Sequence, residues 1–193
     1  SLPFIVFMAS ARLASTRSET PSVHYPWRAL AMAAVLALVW PALRALPWRF
    51  DTLAFASGLA IGAMWIVTAP VAPEGPAPFG ALTGAAFAIW VMARVIGTSL
   101  FVPVIEEIFF RGYLMTLLGS ESGRKWQVAL SVLISAGLFA FLHGRWVEAL
   151  IAGVIFGALV WRSKNVTDAI LSHATANTMI AAWVLATGAW HAI

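Results

Sequence analysis

Apolar residues fall in long blocks at about 29–43, 52–71, 79–118, 127–143, 147–161 and 167–190. Blocks of this length and number exceed what one soluble core can use, and they read as helices of a polytopic membrane bundle. The block 79–118 is the odd one. As a single helix it would measure roughly 60 Å, about twice the hydrocarbon thickness. The expectation is therefore a break at Gly97 and Pro103, giving spans at about 79–98 and 101–118 and seven spans in all. Arg94 then falls near a span end, within reach of the interface.

Polar and Pro/Gly-rich stretches divide the blocks. "APVAPEGPAPFG" (69–80) is a loop. Residues 1–28 combine a short apolar piece with Arg12, Arg17, Glu19 and Arg28, and read as an interfacial segment or truncated span followed by a linker. Residues 29–193 form the transmembrane helical domain. Pairs at GxxxG spacing, Gly58–Gly62, Gly80–Gly84 and Gly153–Gly157, allow close helix approach. Packing within one bundle is favoured over dimerisation, and the oligomeric state is left open.

Composition agrees with this pattern. Hydrophobic residues are 61% of the 193 positions and charged residues 10%, with a mean hydropathy of +0.87. A soluble domain carries about 25% charged residues, so the class is all-α and integral to a membrane. The net charge of +4 comes from Lys and Arg placed mostly between apolar blocks, as topology determinants are. On a seven-span count, Arg12, Arg17, Arg28, Arg124, Lys125, Arg162 and Lys164 share one side. Arg44, Arg49 and Arg145 share the other. No basic cluster carries a nucleic-acid motif, so nucleic acid is set aside as a partner. The absence of cysteine excludes disulfides, thiol catalysis and Cys-ligated zinc.

Against this background few ionisable groups sit inside apolar blocks: Glu106, Glu107, Arg111, His143 and His173, with the amide of Asn177. Intramembrane polar groups are costly and mark function by default. Glu107 and Arg111 are four apart with the acid first, the favourable order for a same-face ion pair, so they read as structural. Glu106 is rotated about 100° away; its i+4 neighbour is Phe110, and no local cation meets it. A free carboxylate in a low-dielectric cavity suits general-base work near neutral pH. His173 and Asn177 are also four apart, on one helical face. A free Glu, two His and an Asn on separate helices supply a base, a proton carrier or ligand, and oxyanion donors. Those are the parts needed to hydrolyse an amide with activated water. Neither GxSxG nor HExxH is present.

These residues carry a resemblance. "EEIFFR" (106–111) is similar to an EExxxR motif, "FAFLH" (139–143) to FxxxH, and "HATAN" (173–177) to HxxxN. These are the motifs, in order, of the CAAX protease and bacteriocin-processing family, which includes Rce1-type prenyl endopeptidases and Abi proteins. "RVIGTSLFVPVIEEIFFRGYL" and "GLAIGAMWI" resemble its exosortase-associated branch. The resemblance implies an all-helical intramembrane glutamate protease with its core at about 79–190, in a bacterial inner membrane. Glu106 and His143 would activate water, His173 and Asn177 would stabilise the oxyanion, and Glu107 and Arg111 would support them. The implied partners are the lipid bilayer and a membrane-associated or lipid-modified protein or peptide substrate. No cofactor is expected. Zinc held by Glu106, His143 and His173 is the alternative, since one Glu and two His would complete an open catalytic site.

Two readings from other classes stand beside the protease. One is a non-catalytic membrane scaffold or immunity-type factor that has kept the motifs. The other is a proton-coupled carrier, which should show an internal repeat with paired broken helices; no such self-similarity occurs. The discriminator is geometric: in the enzyme, Glu106, His143, His173 and Asn177 must line one cavity.

Overall fold

The computed structural model describes residues 1–17, 21–71 and 77–192. It holds eight helices: α1 (Leu2–Arg17), α2 (Tyr25–Leu38), α3 (Trp40–Arg44), α4 (Thr52–Val67), α5 (Gly84–Leu117), α6 (Lys125–Phe141), α7 (Trp146–Ser163) and α8 (Val166–Thr187). No strand occurs among the described residues. Helices α5, α7 and α8 are long and apolar enough to cross a membrane, and Leu2–Leu13, Tyr25–Leu38, Thr52–Val67 and Lys125–Phe141 are shorter apolar helices. Large apolar side chains such as Leu38, Val67 and Phe141 point outward, as a lipid surround requires. The protein is an all-helical integral membrane protein.

The expected break in 79–118 is absent. Helix α5 runs unbroken for 34 residues, so the total of seven apolar helices includes the N-terminal segment rather than a split block. The reason lies in its winding. Gly97–Phe101 and Ile108–Leu114 are π-helical. At the first, the Val102 N–H reaches back to the Gly97 carbonyl, a five-residue step. Pro103 has no N–H, and its ring crowds a regular α-turn; the wider π turn ahead of it absorbs both defects without ending the helix. Arg94 consequently lies well inside a helix, with its guanidinium 4.3 Å from the centroid of the Tyr25 ring, instead of near a span end.

Continuity of α5 also redistributes charge. Arg49 and Arg162 converge on Asp168, and Arg162 also meets Asp51, which places the starts of α4 and α8 beside the end of α7. At the opposite end Arg145 donates to the Trp65 carbonyl at 2.8 Å and to the Thr68 hydroxyl. Arg44, Arg49, Arg124, Lys125, Arg162 and Lys164 therefore share the Arg49 end, while Arg28 and Arg145 lie toward the other. The sequence-based grouping of Arg28 with Arg124 does not hold, and the positive bias moves to the Arg49 end.

Helix limits have local causes. Asp51 caps α4 by accepting the Ala54 N–H at 2.9 Å, and Asn165 caps α8 by accepting that of Thr167 at 3.1 Å. Two of the three glycine pairs pack within the bundle. A Cβ on Gly58 would overlap the Ser172 carbonyl and approach Thr175 Cβ to 2.6 Å, and Gly62 faces the Ala176 carbonyl. Gly153 and Gly157 do the same for α7 against Ala136 and Val132 of α6. Gly80 and Gly84 play a different part: both have positive φ, 59° and 53°, and serve the turn into α5. Helix α1 joins the bundle through Phe4, which stacks on Phe109 with centroids 3.9 Å apart.

Candidate active site

Helix α5 supplies the acids. Glu107 is fully buried, and its Oε1 accepts from Arg111 Nη1 at 3.0 Å and from His173 Nδ1 at 2.8 Å. Arg111 is equally enclosed. It donates through Nη2 to the Gly153 carbonyl at 3.1 Å, and its guanidinium lies 4.5 Å from the Phe139 ring and 5.2 Å from that of Phe156. The i, i+4 pair read from the sequence is present, and it extends across helices to a histidine that local spacing cannot reveal.

Glu106, one position earlier, turns to a different space. It lines a cavity of about 170 Å³ together with His143, His173, Asn177 and Thr98. Its Oε2 is buried and has no hydrogen-bond partner, and it stands 4.0 Å from His173 Nε2. That gap is too long for a direct hydrogen bond and is the span at which a bridging group is sought. The cavity has room for several waters at about 30 Å³ each.

Phe139 joins the two histidines. His143 follows the end of α6, but side chains on a helix lean toward its N-terminus, so the imidazole folds back into the bundle. Its Nδ1 bonds the Phe139 carbonyl at 2.7 Å. The Phe139 ring lies 4.3 Å from the His143 ring and 5.9 Å from that of His173, which stacks on Phe156 at 4.9 Å. Helix alternation alone sets His143 and His173 toward opposite faces. The short α6 and this backward lean bring them to one cavity.

The hydrogen-bond partners set the tautomers. A carbonyl oxygen only accepts, so His143 donates from Nδ1 and its Nε2 is free for the cavity. The Glu107 carboxylate, paired with Arg111, likewise accepts from His173 Nδ1, and His173 Nε2 points toward Glu106.

Asn177 donates through Nδ2 to the Thr98 carbonyl at 2.8 Å. The reason is legible in α5. The regular partner of that carbonyl, the Val102 N–H, is given to Gly97, and the partner one step further is Pro103, which has none. Asn177 supplies the missing donor and keeps a second N–H. Thr98 went unnoticed in the sequence, although Pro103 five residues on is the signal that points to it.

Glu106, His143 and His173 are the donor types of a zinc site. Among the described residues, however, no three His, Asp or Glu side chains are grouped as ligands of one ion.

Residues 88–179 match a family model, Rce1-like, described as type II CAAX prenyl endopeptidase Rce1-like. The matched stretch begins within α5, ends within α8 and contains all three motifs. No curated protein and no solved structure matches the chain.

Proposed function

We propose that this protein is an intramembrane endopeptidase that hydrolyses a peptide bond in a membrane-associated or lipid-modified protein, using water activated by Glu106 and His143. The observation that carries the reading is convergence. Four polar side chains from three helical regions line one cavity, with Glu106 Oε2 lacking a hydrogen bond and Oε1 of its neighbour Glu107 held by both Arg111 and His173. A scaffold needs no such convergence. The family match over 88–179 supports the same class of chemistry.

In this mechanism a water between Glu106 and His143 Nε2 loses a proton to the carboxylate as its oxygen attacks the peptide carbonyl carbon. The oxygen of that carbonyl becomes the oxyanion. The second N–H of Asn177 donates to it, and the first holds the amide in place on Thr98. His173 can donate from Nε2 only when it carries both ring protons, its Nδ1–H resting on the Glu107 carboxylate. Collapse of the intermediate breaks the C–N bond, and the proton taken by Glu106 passes to the leaving nitrogen, directly or through His143. Arg111 positions Glu107 through their ion pair and does not touch the reacting atoms.

Water activation by Glu106 and His143 needs no metal ion. The test is incubation of the purified protein with candidate membrane substrates. Glu106→Gln should abolish cleavage without lowering folded yield, and exhaustive chelation should leave the wild type active. Full activity in Glu106→Gln would refute the assignment. Loss on chelation with recovery on adding zinc would move Glu106, His143 and His173 to ligand roles.

A further inference from the structure

A second charged cluster lies inside the bundle beside the catalytic cavity, outside its lining. The Arg94 guanidinium sits 4.3 Å from the centroid of the Tyr25 ring, and Arg28 approaches the same ring at 5.3 Å. The ion pairs of the described residues use other arginines: Arg49, Arg111, Arg145 and Arg162. Arg28 Nε, Arg94 Nε and the Tyr25 hydroxyl are all buried without a hydrogen-bond partner. Tyr25 is only 2% exposed. It is pressed on Gly97, where a Cβ would come within 2.7 Å of the hydroxyl, so the ring cannot swing away. Two like charges and three unsatisfied donors are thus held together at a cost that the faces of the Tyr25 and Phe7 rings offset only in part.

An oxyanion would satisfy all three groups, and its level in the membrane says which kind. Arg28 is the fourth residue of α2, one turn from its start, and the adjacent Trp27 is 72% exposed. Interfacial tryptophans mark the headgroup level, where lipid phosphates lie. We infer that Arg28, Arg94 and the Tyr25 hydroxyl bind the phosphate of an anionic membrane lipid. A choline or ethanolamine headgroup would bring a third cation against the two guanidiniums, so the site prefers a headgroup without one. The C-terminal carboxylate of a substrate fits less well, because none of the three residues lines the catalytic cavity.

The test is native mass spectrometry of the purified full chain with phosphatidylglycerol or phosphatidylcholine, followed by melting with glycerol 3-phosphate, inorganic phosphate or N-acetyl-leucine. One phosphatidylglycerol should be retained in preference to phosphatidylcholine. Arg28→Gln and Arg94→Gln should each weaken retention about fivefold, and together about 25-fold, at the strength of one basic residue per lipid charge. Arg94→Lys, which keeps the charge, serves as the folded control and should retain most of the binding. Stabilisation by glycerol 3-phosphate that exceeds that by inorganic phosphate would assign the site to lipid rather than to the free ion. Equal retention of both lipids, unchanged retention in the double variant, or equal or greater stabilisation by inorganic phosphate would overturn the proposal. So would stabilisation by N-acetyl-leucine alone, which would assign the pair to a peptide carboxylate.

Discussion

Glu107→Gln separates the two adjacent acids most sharply. Glutamine keeps an oxygen where Glu107 Oε1 stands, so the substitution removes charge and preserves shape. The Arg111 guanidinium would then remain at zero side-chain exposure, with the Gly153 carbonyl and aromatic faces as its remaining partners. Breaking one half of a buried ion pair typically costs about 3–5 kcal/mol. For a chain of this size that lowers the melting temperature by roughly 6–20 °C. Removing both charges tests the cause. Glu107→Gln with Arg111→Met should recover most of the lost stability, since an apolar pair of similar volume is often no worse than the ion pair.

Turnover should not recover with it, because His173 would still lack its carboxylate. Glu106→Gln should leave stability near the wild type, since its Oε2 has no hydrogen bond to lose. Melting in detergent, with cleavage measured per folded molecule, reads both quantities. If the single Glu107→Gln variant loses less than about 1 kcal/mol, or the double variant melts no higher, the charge-pair reasoning fails.

Asn177→Ala should lower kcat by about 10²–10³ with little change in KM, and a near-normal rate per folded molecule would leave only its bond to the Thr98 carbonyl. Gly58→Ala should destabilise the protein by about 1–3 kcal/mol by forcing α4 from α8; Gly137→Ala, where an added Cβ meets nothing within 4 Å, should instead stabilise by about 0.5–1 kcal/mol, as thermal melts would show. Outside the membrane, the hydrogen bond from Arg162 and then the Ala54 N–H hold the Asp51 carboxyl below its usual range. That stabilisation is present above the ordinary carboxylate pKa and is lost as pH falls through the lowered one, so Asp51→Asn should flatten the acid limb of a melting-versus-pH curve.

Much of the candidate site was readable from local spacing. Glu107 and Arg111 on one face, Glu106 on another, and His173 with Asn177 one turn apart all follow from helical geometry. Links between helices were not readable. Glu107 to His173 crosses 66 positions and Asn177 to Thr98 crosses 79, and a single sequence gives no register between distant helices. The mistaken break in α5 had a different origin. Length and proline were judged against a regular α-helix, and a π turn changes what both imply. Arg94 was then set at an interface by that break, which hid its place beside Tyr25 and Arg28.

The winding of α5 ties these parts together. A π turn leaves a carbonyl without its usual donor, and in an apolar bundle such a carbonyl must find one. Here Pro103 removes the remaining backbone candidate, and Asn177 of α8 supplies the bond. One irregularity therefore fixes the approach of α8 to α5 eight residues before Glu106 and one helical turn after His173. The Glu107 link sets the same approach a little further along, and Gly58 and Gly62 let α4 back the helix closely from outside. A regular α5 would satisfy its own carbonyls and leave the Asn177 amide to wander. The irregular one holds that amide in place, as the proposed oxyanion role requires, since a donor already aimed costs no reorganisation when charge develops.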